Sequence, residues 1–503
     1  MNADIWTMRS PDDRAEAMLV LGGRVAAQGS EGTILSKART AGVKAADARG
    51  QTLLPGLIDS HTHLVHQGLL RHRLDLRAVT SLASALRAVR RRAARQPKGK
   101  LLLAERWDES QWPERRYPHR DELDAISTTV PIVMRRVDGH VAVGNRVACD
   151  LIQQRLPGVD RATGLLVEEA SLNLNHIFPT PLSEATNALD YAQGQALRLG
   201  VTTVHDFAVP AYVRAYQALH RTGKLRIRAH VSLYIEYLEA VAATGFASGL
   251  GDDQLRFHGI KIFADGSLGG HTAALREPYA DAAQNSGRLN FPKHALEDRL
   301  RTADAAGLAA SVHAIGDAAI DQAAAALAKA RRGKLRARIE HFELHTSETV
   351  AEVAAQGIVA SMQPNFVGEW NRPGGLYEQR LGPKRYRRLN EFRRLRAEGV
   401  RLAFGSDCMP FDPWFGLAGC VNAPHSAQRL PMNEAIEAYT RGSAWGIGRE
   451  KDLGCLAPGA YADFIVLPSS PTKASVGSTR PSATYVRGDL AFERNAKPSL
   501  RPR

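Results

Sequence analysis

Eight short apolar runs recur along the chain, separated by Ala-, Leu- and Arg-rich stretches of helical periodicity. They are GLIDSHTHL (56–64), GVTTVHDF (200–207), RIRAHVSLY (226–234), GIKIFADGS (259–267), AASVHAIGD (309–317), RARIEHFEL (336–344), GIVASMQPNF (357–366) and RLAFGSDCM (401–409). Strands that alternate with helices pair in parallel, because each helix carries the chain back to the starting edge of the sheet. Eight such units are what a (β/α)8 TIM-type barrel requires, and they predict an α/β fold of that kind over 55–449. The gap at 65–199 is too long for one connection and predicts an insertion with its own elements.

The two ends read differently. AMLVLGGRVAAQG near the start carries Gly-Gly between apolar runs, a hairpin signal, and LAPGAYADFIVLP and ATYVRGDLAFE near the end also read as strands with glycine turns. They predict one small β-sandwich domain built from 1–54 and 450–493, with 494–503 as a disordered tail.

At 44% hydrophobic, the 503 residues supply a large core and exclude a mainly disordered chain. No apolar run approaches the ~18 residues of a membrane span. The opening MNADIWTMRSPDDRAEA is acidic where a signal peptide is basic and then apolar. Four scattered cysteines make neither a disulfide framework nor a Cys-based zinc site. These features predict a reduced, cytoplasmic protein without a membrane partner, and leave a homo-oligomer open. The net charge of +14 invites a nucleic-acid reading, so its placement matters. In 81–100, Leu82, Leu86, Val89 and Ala93 fall at helical spacing, which makes the arginines the wet face of an amphipathic helix. The cluster at 382–396 reads the same way. Neither carries a nucleic-acid-binding motif, and no nucleic-acid partner is expected.

Seven of the eight runs end in His, Lys, Asp or Gln, and the C-terminal ends of barrel strands share one face, where barrel enzymes do their chemistry. His61 and His63, at i and i+2, point to the same side about 7 Å apart, a spacing that suits two ligands on one metal. By itself, this pair also arises on any half-exposed strand. Lys261 shares a face with Phe263 and Asp265, opposite Ile260, Ile262 and Ala264. A buried lysine is costly unless paired or chemically altered, and the plain account is a salt bridge to Asp265. His313 and His341 end successive strands. Asp407 ends the eighth, where a buried carboxylate needs a counter-charge.

Together these six residues, and the segments PGLIDSHTHL, GIKIFADGSLGG, VHAIGDAAID, IEHFEL, SMQPNF and FGSDCMPFDP, resemble the amidohydrolase superfamily. The likeness is to its family 3 branch, which includes N-substituted formamide deformylases. The resemblance implies that His61, His63 and Asp407 hold the more buried metal and that His313 and His341 hold a second. Lys261, carboxylated by carbon dioxide, would bridge them. It implies zinc, with manganese or iron as substitutes for one or two ions. The implied activity is hydrolysis of a non-peptide C–N bond, an amide, in a small-molecule substrate. Asp407 would act as general base and then acid, and His140 would contact the substrate carbonyl. A lactone or ester hydrolase, or a deaminase, would use the same barrel; Lys261 points away from mononuclear deaminases. Trp107, Asp108, His271 and Gln363 complete the candidate substrate contacts. Trp107 serves equally well as a core anchor, and Asp265, His205 and Gln363 as hydrogen-bonding rim residues. His271 stands where relatives usually carry Arg. Cys408, beside Asp407, reads as a packing thiol.

Overall fold

The computed structural model describes residues 1–330 and 335–494, and the backbone of 501–502. Its centre is an eight-stranded parallel sheet: β1 (Leu57–Thr62), β2 (Val201–Ala208), β3 (Arg228–Tyr234), β4 (Leu255–Phe263), β5 (Ala309–Ala314), β6 (Arg338–His341), β7 (Val359–Met362) and β8 (Arg401–Phe404). The strands follow one another in chain order. The ring closes where the Asp407 N–H donates to the His61 carbonyl at 2.8 Å and the Ser406 N–H to Asp59 Oδ1 at 2.9 Å. Gly405 permits that approach, since a Cβ there would lie 2.4 Å from the His61 nitrogen.

Barrel helices pack through alanine-rich faces. The helix Leu182–Arg198 buries Ala185, Leu189, Ala192 and Ala196, an i, i+4, i+7, i+11 stripe. Several strands end earlier than their apolar runs, so His63, Asp265 and Asp407 stand on the loops just past the strand ends. The backbone bends sharply there: His341, Phe342, Asp407 and Cys408 all adopt positive φ, between 48° and 73°. Non-glycine residues are held this way only where surrounding contacts enforce it, and such positions cluster at functional sites.

The insertion forms a five-stranded sheet in the order Leu165–Val167, Val141–Gly144, Ile132–Arg136, Leu102–Trp107, Leu74–Asp75. The first basic cluster lies on the helix Leu82–Ala93, which buries Leu82, Ala85, Val89 and Ala93 and leaves Leu86 partly exposed. The second departs from the expected single helix. Gly382, at φ 74°, and Pro383, which lacks an N–H, kink the helix Leu376–Arg385, and a separate helix follows at Phe392–Ala397.

Strands from both termini make a six-stranded mixed sheet: Arg14–Ala15, Asp4–Trp6, Thr52–Pro55, Phe464–Leu467, Ala483–Val486 and Asp489–Glu493. The expected hairpin forms beside it, Ala17–Leu21 with Arg24–Gly29, turning at Gly22 and Gly23. Arg228 on β3 ties barrel to sheet, donating to both oxygens of Asp463 at 2.6 and 3.1 Å. Of the expected tail, 495–500 and 503 lie outside the described residues, while Arg501–Pro502 pair with Ala46–Asp47. Among the described residues no helix is long and apolar enough to cross a membrane.

Candidate metal centre

Strand register brings the polar ends together. His313 stands beside Phe263 across the β4–β5 pair, and His341 beside Ala314 across β5–β6. The His341 ring lies 4.5 Å from that of His313 and 4.7 Å from that of His61, centroid to centroid. His61 engages Glu340 Oε2 through Nδ1 at 2.8 Å. Its Nε2 is left facing Lys261 Nζ at 3.3 Å and Asp407 Oδ1 at 3.7 Å. His341 Nδ1 is held by Gln363 Oε1 at 2.6 Å, which fixes that ring's orientation in the same manner. His63 Nε2 comes within 3.2 Å of Asp407 Oδ1. One ligand-type atom each from His61, His341 and Asp407 lie within 4.8 Å of one another, a grouping that could hold a metal ion.

The electrostatics fit a cation. Asp407 Oδ1 is buried and has no hydrogen-bond partner among the described residues. A buried carboxylate oxygen in that state is costly unless something else satisfies it. Burial holds the imidazolium forms of His61, His313 and His341 well below their ordinary range, aided by Lys261 and by one another. They are therefore neutral, as metal ligands must be. Lys261 has no salt bridge to Asp265. That carboxylate accepts the N–H groups of Ala274, Ile315 and Gly316 at 2.9 to 3.1 Å. The Lys261 ammonium sits instead over Phe207 and Phe263, 4.2 and 5.0 Å from the ring centres. Burial pulls its pKa down to about 8, against the opposing pull of Glu340 and Asp407.

Beneath the centre lies a network absent from the sequence reading. Arg338 donates to Glu340 Oε1 at 2.9 Å, to the Ser60 carbonyl at 2.6 Å, to Ser361 Oγ at 2.7 Å and to His205 Nδ1 at 2.7 Å. His205 is therefore in the barrel interior rather than on the rim. The signal for this network was present: Arg338 and Glu340 stand at i and i+2 and so share one face of the strand.

A cavity of about 150 Å³ opens over the cluster, and His61, His63, His140, Lys261, His313, His341 and Asp407 all line it. His140 reaches it from the insertion, with Nδ1 2.9 Å from Glu168 Oε2. Burial alone would lower its pKa, but the Glu168 carboxylate reverses that and raises it to about 9. Glu168 sits in a loop, and nothing local in the sequence marked it.

The remaining candidates lie elsewhere. Gln363 stands behind His341. Asp108 Oδ1 caps the turn Glu109–Gln111 at Ser110, 3.3 Å from Arg136, while Oδ2 accepts from Trp370 Nε1 at 3.2 Å. His271 faces Asp281 at 3.0 Å and does not line the cavity. Burial pushes the Cys408 thiol far up, so it stays protonated and binds Thr62 Oγ1 at 3.2 Å. Trp107 is fully buried, stacked on Trp112 with ring centres 5.6 Å apart, in the insertion's own core. We expect Trp107→Ala to cost about 3–5 kcal/mol of stability with metal content unchanged. Urea denaturation checks it, and wild-type stability would contradict the placement.

A parallel eight-stranded barrel with a His/Asp cluster at the C-terminal mouth defines the class of metal-dependent barrel enzymes. The model of the Amidohydrolase family matches residues 44–492. A Bacillus subtilis relative, YtcJ, is 30% identical over 98% of each chain. The N-substituted formamide deformylase of Arthrobacter pascens is 25% identical over 98% of each. The solved structure of an uncharacterized metal-dependent hydrolase from Pyrococcus furiosus superimposes with a TM-score of 0.76 at 30% identity, covering 94% of this chain and 98% of that one. The chain belongs to the amidohydrolase family, within the superfamily of metal-dependent hydrolases.

Proposed function

We propose that the protein hydrolyses the amide C–N bond of a small molecule with one or two divalent ions. The observation that carries this reading is the buried Asp407 Oδ1, which accepts no hydrogen bond among the described residues and faces His63 and His61 Nε2 at 3.2 and 3.7 Å, beside Lys261 and His341. Nitrogen and oxygen donors without thiolate suit zinc, and also manganese or iron. His61, His63 and Asp407 would hold one ion, and His313 and His341 a second. Burial favours the neutral Lys261 amine, whose nitrogen would add to carbon dioxide and lose one of its two N–H protons, giving an anionic carbamate with two oxygen donors. This accounts for a buried lysine without a carboxylate partner of its own.

A divalent ion, when bound, lowers the pKa of water toward 7 and polarises a carbonyl. Asp407, at the cavity wall, accepts the proton of the attacking water and later delivers it to the leaving nitrogen. His140, kept protonated by Glu168, donates to the carbonyl oxygen as negative charge develops there. Glu340 and Gln363 keep His61 and His341 in one tautomer and orientation. The expected result for purified protein expressed with available zinc is one to two equivalents of divalent metal per chain by elemental analysis, and turnover of members of an N-acyl and N-formyl amide panel. Folded protein without metal would overturn the reading.

A further inference from the structure

Two lobes of space meet at the metal centre. The larger is joined by a smaller one of about 40 Å³, and His140, His313, His341 and Asp407 line both. The walls of the smaller lobe are largely apolar, with Leu268, Ile315, Phe366, Trp370 and Leu376. Outside the metal centre its charged groups are already engaged. Arg136 and Asp138 pair with each other at 2.6 Å, and the buried Glu343 carboxyl accepts from Asn390 at 3.2 Å.

In the wall of the larger lobe, two guanidiniums share one carboxylate. Glu105, buried in its wall, pairs with two guanidiniums: Arg73 Nη1 donates to Oε2 at 2.9 Å, and Arg135 Nε to Oε1 at 2.9 Å. The Nη2 of Arg135 also binds Glu105. His66 joins this cluster, but burial lowers its pKa to about 4, so it adds no charge at neutral pH. The other guanidiniums lining this lobe, Arg106 and Arg136, are matched by Asp75 and Asp138, and His140 by Glu168, while Lys261 belongs to the metal centre. One carboxylate therefore serves two cations. Among the described residues Arg135 Nη1 makes no hydrogen bond, although its side chain is only 13% exposed. A guanidinium held in place on one edge presents its free edge as a ready site for a carboxylate.

We propose that Arg135 binds a carboxylate of the substrate in the larger lobe, while the smaller lobe takes an apolar group on the other side of the scissile bond. The substrate class is thus an amide joining an apolar fragment to a carboxylate-bearing one. This rests on the amide-hydrolase reading above.

The test compares matched amides that differ only in carboxylate against carboxamide, made in both orientations of the amide, on metal-replete wild type, Arg135→Gln and Arg135→Lys. The carboxylate form should be preferred in kcat/KM by at least about tenfold in wild type, chiefly through KM. The preference should collapse toward one in Arg135→Gln and be partly restored in Arg135→Lys. Equal turnover of both forms by wild type, or a preference that survives in Arg135→Gln, overturns the proposal. If no amide of either form is turned over, the amide reading fails by itself, and calorimetric binding of benzoate against benzamide then decides. Benzoate held at least about tenfold more tightly by wild type than by Arg135→Gln supports the carboxylate site, and equal binding overturns it.

Discussion

Asp407→Asn should give a folded, metal-containing protein whose turnover falls at least about a hundredfold. Asparagine keeps an oxygen donor of similar size but removes the base. His61, His63 and Lys261 remain to hold the ion, with His61 oriented from behind by Glu340. The backbone at this position is also secured independently of the side chain, since the Asp407 N–H donates to the His61 carbonyl. General acid–base groups contribute typically about 10²–10⁴-fold, and Asp407 is proposed to act in both halves of the reaction. Elemental analysis, thermal melting and kcat on the same preparation separate loss of metal from loss of the proton carrier. Metal-replete Asp407→Asn with near-normal turnover would show that another group moves the proton.

The second large effect falls on stability. Arg338 and Glu340 are both fully buried, and Arg338→Met removes the cation that Glu340 faces. Leaving one partner of a buried ion pair uncompensated costs about 3–5 kcal/mol. The pH dependence has a definite sign. In the wild type, burial would raise Glu340, but Arg338 and Lys261 outweigh it and hold the group below 4.5. Its stabilising contribution is therefore present above that unfolded-state value and is lost as pH falls through the lower folded one. In Arg338→Met, burial is opposed chiefly by Lys261, so the Glu340 pKa rises relative to wild type. The penalty is then largest near neutral pH and narrows as Glu340 takes a proton. Urea denaturation of metal-free wild type and variant, at pH 7.5 and near 4.5, checks both size and trend. A variant as stable as wild type at neutral pH would refute it.

Some of the chemistry was readable before any contact was known. His61, His63, Lys261, His313, His341 and Asp407 announce themselves because each is a costly residue within or at the end of an apolar run, and strand period says which way His61, Lys261, His313 and His341 face. Partnership was not readable. Strand alternation puts Lys261 and Asp265 on one face, yet Asp265 stands on the loop past the strand and spends its oxygens on backbone N–H groups, and the lysine lies over aromatic rings. Trp107 offered two equal readings, and only the stacking on Trp112 places it in a core.

The sequence by itself determined the alternation of strands and helices, and hence a closed parallel sheet with its polar residues gathered at one mouth. Periodicity and polarity are local properties, written within a few residues, and eight repetitions leave little choice of architecture. The tertiary structure alone decided which nitrogen of each histidine faces the centre, which carboxylate supports it, and where the insertion brings His140 and Arg135. Those outcomes depend on residues far apart in the chain; His61 and Glu340 are separated by 279 positions. No local pattern encodes such a meeting, because it exists only once the barrel has closed and strand register has brought the two side chains together.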